Sequence, residues 1–125
     1  MGTGKAYLLV RAHVANRSDR PKFDQWYHVH HLAYAKEKLK AERGWRFWSR
    51  SDPSIHYALY QFDSMEVLHE RMDSPQLKSL LADFDLAFPQ VTRTRELIEM
   101  MQEVTAPPAS VLTMSGRLPV CGRLM

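Results

Sequence analysis

The stretch AYLLVRAHV, residues 6–14, decides the fold, because its alternation predicts a β-strand with two unlike faces. One face carries only apolar side chains: Ala6, Leu8, Val10, Ala12 and Val14. The other face is mixed and carries Tyr7, Leu9, Arg11 and His13. A strand with one fully apolar face must bury that face against another layer of secondary structure, and the rest of the chain has to supply this layer.

A long helix is predicted after this strand. It begins near Pro21, where a proline fits the first turn, and runs to about Arg43, with Gly44 as the expected C-terminal cap. Two strands follow, at residues 45–51 and 55–62, with an Asp-Pro-Ser turn between them. These two strands are therefore expected to form a hairpin with a short loop.

The second half of the chain predicts a further helix and a fourth strand. Asp63 and Glu66 resemble a capping box at the start of the helix, and Ser74-Pro75 restarts it after a break. The fourth strand is predicted over residues 92–104, although part of this segment also suits a helix by composition. The order of elements is then β-α-β-β-α-β.

This order predicts an α+β, ferredoxin-like fold, in which two helices cover one face of a four-stranded antiparallel sheet. Both faces of the sheet carry aromatic side chains; in the second strand Trp48 lies opposite Trp45 and Phe47. A sheet that is apolar on both faces needs a second layer on its open side. We therefore expect a homodimer that packs sheet against sheet.

Composition limits the classes of function. The chain has 125 residues, 45% of them hydrophobic and 25% charged, so residues 1–104 are interpreted as one globular domain. Residues 105–125 lack periodicity and are expected to be a tail, disordered or draped over the partner. Two arginines of this tail contribute to the net charge of +3, so the domain has no basic stripe for nucleic acid. With one cysteine, no signal peptide and no apolar run of about 18 residues, we expect no membrane partner and a cytoplasmic location.

The densest group of reactive side chains is WYHVHH, residues 26–31, which holds three of the six histidines. An apolar stripe with Phe23, Tyr27 and His30 on one line shifts after His31 to nearly the opposite side, which predicts either two buried sides or a bend. Three interpretations stay open for these imidazoles: a structural role, general acid or base catalysis, or a metal or haem site. A metal site would use His28 and His31 and would need a distant ligand such as His13.

Other candidates are weaker. Arg11 and His13 project from the mixed face of the first strand, as an exposed edge or as a cationic floor for a small ligand. Arg93 and Arg95 are interpreted as solvated or interface residues, and His56 as a surface residue. The sequence has no glycine-rich phosphate loop, no serine elbow and no paired-carboxylate motif.

The stretch FDQWYHVHHL, residues 23–32, resembles the first-helix signature of the EthD-like proteins, which are part of the dimeric α+β barrel superfamily. The third-strand run YALYQFDS, residues 57–64, also resembles that family. The resemblance implies a homodimer with a ligand cavity between sheet and helices in each protomer. Its relatives include cofactor-free isomerases, cyclases and monooxygenases and some haem-binding enzymes. The family histidine corresponds to His31, whereas periodicity favours His30 as the inward residue.

We therefore expect a small-molecule enzyme that transfers a proton without a cofactor on an apolar cyclic carbonyl or enol. The expected catalytic residues are His31, His30 and Tyr27. The expected substrate-binding residues are Trp26, Arg11, His13, Trp48 and Tyr60. One alternative is a binding or stress-related module that holds a ligand without turnover. Others are a haem or metal protein and an interaction scaffold without a sizeable cavity.

Overall fold

The computed structural model describes residues 4–107 and shows the expected α+β, ferredoxin-like fold. Its antiparallel sheet has the strand order β2-β3-β1-β4, with the bounds β1 Ala6–His13, β2 Arg43–Trp48, β3 Ile55–Phe62 and β4 Thr92–Glu99. The α-helices are α1 Arg20–Trp26, α2 Leu32–Leu39, α3 Met65–Met72 and α4 Pro75–Ala87. None of the helices among residues 4–107 has both the length and the apolar character that a membrane crossing requires.

The two faces of β1 are as unlike as its alternation predicts. Leu8 pairs with Tyr60 of β3 and with Leu97 of β4, and this face packs under the helices. The β1 side chains buried there are Ala6, Leu8 and Ala12. The opposite face carries Arg11 and His13, and both are exposed. The sheet therefore has one covered face and one open face.

The first helix ends earlier than predicted. Lys40 has a φ of 57°, in the left-handed region, and its backbone N–H and that of Ala41 bond to the carbonyls of the last helical turn. Gly44 is not the C-terminal cap. It lies inside β2 opposite Tyr60, where a Cβ atom would stand 3.4 Å from the Tyr60 ring. A Cβ atom here would make an ordinary van der Waals contact with the ring, so packing against Tyr60 does not by itself require glycine.

The caps of the later helices differ from the prediction in one place. Ser64, not Asp63, caps α3, because its hydroxyl accepts a hydrogen bond from the Val67 N–H. Ser74 caps α4 as expected, with Pro75 at the first helical position. The fourth element is a strand, so the helical alternative for this segment is wrong, and it ends at Glu99. Most of the predicted tail, residues 108–125, lies outside the described residues.

A π-helical turn, Tyr27–His31, joins α1 to α2 and explains the shift in the apolar stripe. Its last bond runs from the Leu32 N–H to the Tyr27 carbonyl, five residues back. Four-residue steps along an ordinary α-helix would turn each successive side chain by about 40° around the axis. The wider turn absorbs part of this rotation. One face therefore stays buried along the whole helix, through Phe23, Tyr27, His31, Ala35 and Leu39.

An apolar patch occupies part of the open face of the sheet, beside the exposed side chains of Arg11 and His13. It carries Tyr7, Leu9, Trp45, Phe47, Tyr57, Leu59 and Ile98. Phe47 is 49% exposed and Ile98 is 39% exposed, and the helices among residues 4–107 pack on the other side. A patch of this kind on a single chain is typical of an interaction surface.

Candidate functional site

A small cavity lies between the helix-covered face of the sheet, the first helix and α4. Its volume is about 40 Å³, and its wall is mostly apolar. The residues of its wall that carry polar side chains are Tyr27, His31, Tyr60, Arg93 and Arg95. The family resemblance implied a ligand cavity between sheet and helices, and the space found there is much smaller than the roughly 300 Å³ of an ordinary ligand site.

His31 is the histidine that the π-turn directs inward. Its side chain is buried, with the residue only 5% exposed, and its ring stacks on Trp26 with centroids 4.2 Å apart and planes 15° apart. The edges of Tyr27 and Phe84 enclose it further. Its Nδ1 atom is buried and has no hydrogen-bond partner. Burial lowers the pKa of His31 to about 4, so the imidazole is neutral at neutral pH.

Two phenols stand beside this imidazole in the cavity wall. Tyr27 is 1% exposed and Tyr60 is 2% exposed. Burial raises the pKa of both hydroxyls, while a hydrogen bond with Tyr60 lowers the pKa of Tyr27 in part. Both groups are therefore neutral hydrogen-bond donors at neutral pH. A neutral base and neutral donors on one apolar wall suit a reaction in which charge moves onto a substrate oxygen.

His56 was predicted to be a surface residue, and that prediction is wrong. The residue is 1% exposed, and its ring packs against Tyr27 with centroids 4.5 Å apart. Its Nε2 atom lies 3.5 Å from Nη1 of Arg46, while its Nδ1 atom is buried without a partner. Burial lowers the pKa of His56 to about 4, and Arg46 adds to this effect. The signal was present in the sequence, because His56 alternates with the buried residues Ala58 and Tyr60.

Trp48 lies behind this group and not in the cavity wall. Its indole Nε1–H donates a hydrogen bond of 2.8 Å to Oδ1 of Asp24, which also accepts a 2.8 Å bond from Nη1 of Arg46. These two bonds hold the pKa of Asp24 below its usual value. The ring of Trp48 packs edge-on against Phe23 and His56. Trp48 thus fixes β2 to the first helix and does not reach a ligand beside His31.

The structure does not bring the other predicted site residues to the cavity. His30 is exposed and stacks on Tyr34, with centroids 4.8 Å apart, so His31 and not His30 faces inward. Arg11 and His13 lie on the open face, because β1 alternates and Leu8 points to the cavity. The structure also separates the three histidines proposed for a metal or haem site, since His28 is exposed, His31 is buried and His13 is across the sheet. Among residues 4–107 there is no group of three or more side chains placed to hold a metal ion.

Arg93 and Arg95 belong to the cavity, although the sequence interpretation treated them as solvated or interface residues. They alternate with Leu97 along β4, which faces the helices. The Arg93 guanidinium carbon lies 4.0 Å from the centroid of the Phe84 ring. Its Nη1 donates a 2.9 Å hydrogen bond to Oδ1 of Asp85. The alternation with Leu97 is the signal that would have found them.

Fold and site together define a ferredoxin-like α+β chain with a histidine-lined cavity between sheet and helices. Solved structures with this fold include an EthD (ethyl tert-butyl ether D) family protein from Bacillus halodurans, 17% identical, at a TM-score of 0.59, covering 77% of this chain and 99% of that one. They also include SnoaB, a cofactor-independent oxygenase from Streptomyces nogalater, 11% identical, at a TM-score of 0.56, covering 84% of this chain and 99% of that one. No protein-family model and no curated protein matches the sequence. At these identities the likeness shows the fold alone, and that fold is the ferredoxin-like α+β fold that the order of elements predicted.

Proposed function

We propose that this protein is a small-molecule enzyme that transfers a proton without a cofactor, with His31 as the base. The observation that carries the proposal is the environment of His31. Its imidazole is neutral, stacked on Trp26 and part of the wall of an apolar cavity that also holds two phenols. The imidazole is unprotonated at neutral pH and can accept a proton, but its pKa of about 4 makes it a weaker base than a free imidazole until charge that develops on the ligand raises that pKa.

The substrate class follows from the cavity wall. An apolar ring with a carbonyl or enol group fits the apolar lining, and its oxygen would accept hydrogen bonds from Tyr27 or Tyr60. His31 would take the proton from the carbon beside the carbonyl, the electron pair of that C–H bond would form the C=C bond of an enolate, and the π pair of the C=O bond would move onto the oxygen. The negative charge that develops would raise the pKa of His31. The imidazolium would then return the proton to another atom of the same ligand.

The structural neighbours support this class of function. SnoaB is a cofactor-independent oxygenase, and the Bacillus halodurans protein is of the EthD family. A small-molecule enzyme on this fold therefore has precedents. The particular substrate and the role of His31 are proposed from the first-helix resemblance together with the geometry of this chain.

Ligand entry requires the cavity to widen. Small-molecule sites usually have volumes of about 300–1,000 Å³, and this cavity has about 40 Å³. On one side it is bounded by flexible side chains of α4 and β4, among them Leu77, Leu81 and Arg93. Their displacement would admit a ring while the sheet stays in place. The small volume agrees with the second candidate function, an interaction scaffold without a sizeable cavity.

The experiment that tests the proposal is a screen for carbon-bound proton exchange. Cyclic ketones, phenols and quinols would be incubated with the protein in D₂O, and deuterium incorporation would be followed by NMR. We expect incorporation with the wild-type chain and its loss in Ala35→Leu, because the added volume fills the cavity wall at a residue only 2% exposed. Thermal unfolding of the variant would show whether it is folded, since overpacking costs about 1–3 kcal/mol. Ligand binding without exchange for any compound would favour the binding module.

We further propose that the open sheet face packs against a second copy of this chain. The helices of residues 4–107 do not cover its apolar side chains. Phe47, which lies among these side chains, is half exposed. Placing a carboxylate there would leave a charge buried at the interface, which is costly. Phe47→Glu is therefore expected to convert a dimer into a monomer in sedimentation velocity experiments. Leu86→Glu, at an 85% exposed position of α4, is the matched control and should leave the dimer intact. A wild-type chain that sediments as a monomer would contradict this proposal.

A further inference from the structure

Two arginines of β4 connect the His31 cavity to the surface. Arg93 and Arg95 line the cavity and also a surface depression of about 700 Å³ beside it. Leu81 is shared between the same two spaces, so this side is the mouth of the cavity. A ligand that enters here passes two guanidinium groups.

Arg93 closes the mouth from the inside. Its side chain is 14% exposed and lies over the Phe84 ring, with the guanidinium carbon 4.0 Å from the ring centroid. Its Nη1 donates to Oδ1 of Asp85 at 2.9 Å, and its Nη2 donates to the Leu81 carbonyl at 3.5 Å. A guanidinium has five N–H donors, so these two bonds leave donors for another acceptor.

The carboxylate that holds Arg93 is easily replaced. The side chain of Asp85 is 68% exposed, and an ion pair with so exposed a partner is weak because water competes for both groups. Arg95 is exposed on the same rim. Asp85 is the acidic residue in the lining of this depression, so the lining carries one more positive than negative charge. Planar guanidinium groups bind carboxylates and sulfonates through paired hydrogen bonds.

We infer that the ligand carries an anionic group beside its apolar ring, and that this group binds Arg93 and Arg95 in place of Asp85. The inference rests on the proposed function, since it concerns a ligand of the same cavity. When Arg93 turns toward the anion, its guanidinium leaves the Phe84 ring and the mouth widens. The ring of the ligand then enters beside His31, and the anionic group stays at the rim.

A matched pair of fluorescent probes tests this inference. The probes 8-anilinonaphthalene-1-sulfonate and N-phenyl-1-naphthylamine share the same rings and differ in the sulfonate. We expect the wild-type chain to bind the anion about tenfold more tightly than the neutral probe, as charge-assisted hydrogen bonds allow. Arg93→Gln and Arg95→Gln should each remove most of this preference. Arg95→Gln, on the rim, should leave the affinity for the neutral probe nearly unchanged, and Arg93→Gln should raise it, because the shorter side chain opens the mouth.

Asp85→Asn is the most discriminating variant. It removes the competing carboxylate without touching the cavity wall, so the affinity for the sulfonate should rise several-fold while the affinity for the neutral probe stays constant. Arg50→Gln, at an exposed position after the end of β2 and outside both the cavity and the depression, is the control for nonspecific charge effects and should change neither affinity. Equal affinities of the two probes for the wild-type chain, or no gain in Asp85→Asn, would overturn the inference.

Failure of the proposed function would look different. Ala35→Leu fills the cavity wall and should weaken binding of both probes. If the neutral probe binds equally well to this variant, the probe is outside the cavity, which overturns the ligand site and with it the inference. If the neutral probe no longer binds to Ala35→Leu, and the wild-type chain binds both probes equally well, the cavity is the ligand site. Only the inference that the ligand carries an anionic group would then be rejected.

Discussion

Replacing His31 by glutamine is expected to lower the rate of carbon-bound proton exchange about 100- to 10,000-fold, the usual contribution of a general base. Glutamine keeps a polar side chain of similar reach beside Trp26 but cannot take up a proton at neutral pH. The apolar cavity and the two phenols would remain, so the affinity for the ligand should change far less than the rate. The measurement is deuterium incorporation under single-turnover and saturating conditions, with binding followed separately.

His30→Gln is the matched control for this prediction. The same substitution one residue earlier falls on an exposed ring that stacks on Tyr34 and does not reach the cavity. Its exchange rate should stay within about twofold of wild type, since it lacks contact with the cavity. Equal rate losses in both variants would show that the helix, and not the imidazole of His31, is what the reaction needs. An unchanged rate in His31→Gln would remove His31 from the mechanism.

Mild acid is expected to destabilise the protein steeply, because two neutral imidazoles are buried in its core. His31 and His56 each have a pKa of about 4 in the folded chain, against about 6.5 when unfolded. The unfolded chain therefore binds more protons, so stability is fully present above about pH 6.5 and is lost as the pH falls toward 4. Each ring accounts for about 3 kcal/mol over this window, and the two together for about 6 kcal/mol.

The measurement is the free energy of unfolding in urea at a series of pH values from 4.5 to 8. His31→Gln and His56→Gln should each reduce the slope below pH 6.5 by about 1.4 kcal/mol per pH unit, the contribution of one proton. The exposed residue His69 gives the control variant His69→Gln, which should keep the wild-type slope. A stability that is flat between pH 6.5 and 4.5 would mean that the two rings are protonated in the folded chain.

The strands could be predicted from the sequence because side chains of a strand alternate between its two faces, so an apolar pattern fixes which face is buried. Alternation of apolar and polar side chains over residues 6–14 assigned each residue to the correct face. The hairpin and the order β-α-β-β-α-β followed from turn residues and caps, and the structure has both. The end of the first helix could not be predicted in this way. Lys40 takes the left-handed cap position that glycine normally occupies, while Gly44 lies inside β2 opposite Tyr60.

The site was harder to predict than the fold, for a physical reason. Histidine and arginine are usually placed at the surface, so His56 and Arg93 were assigned there. Both lie on the covered face because strand alternation places them there, with His56 against Tyr27 and Arg93 over Phe84. Periodicity alone favoured His30 over His31, since it assumed one helical pitch throughout. The family motif indicated His31, and the structure has His31 buried.

The widened turn at Tyr27–His31 also has a consequence for comparing sequences. A related chain with one residue fewer between these positions would build an ordinary α-helix and still bury the same face, because a three-residue step there offsets the drift of the four-residue steps. Loss of a residue such as Val29, which is 63% exposed, would leave the core contacts of the helix unchanged. An alignment that forbids a gap inside this helix would therefore match each inward residue of one chain to an outward residue of the other. Distant relatives with this cavity would then look less similar than their cores are.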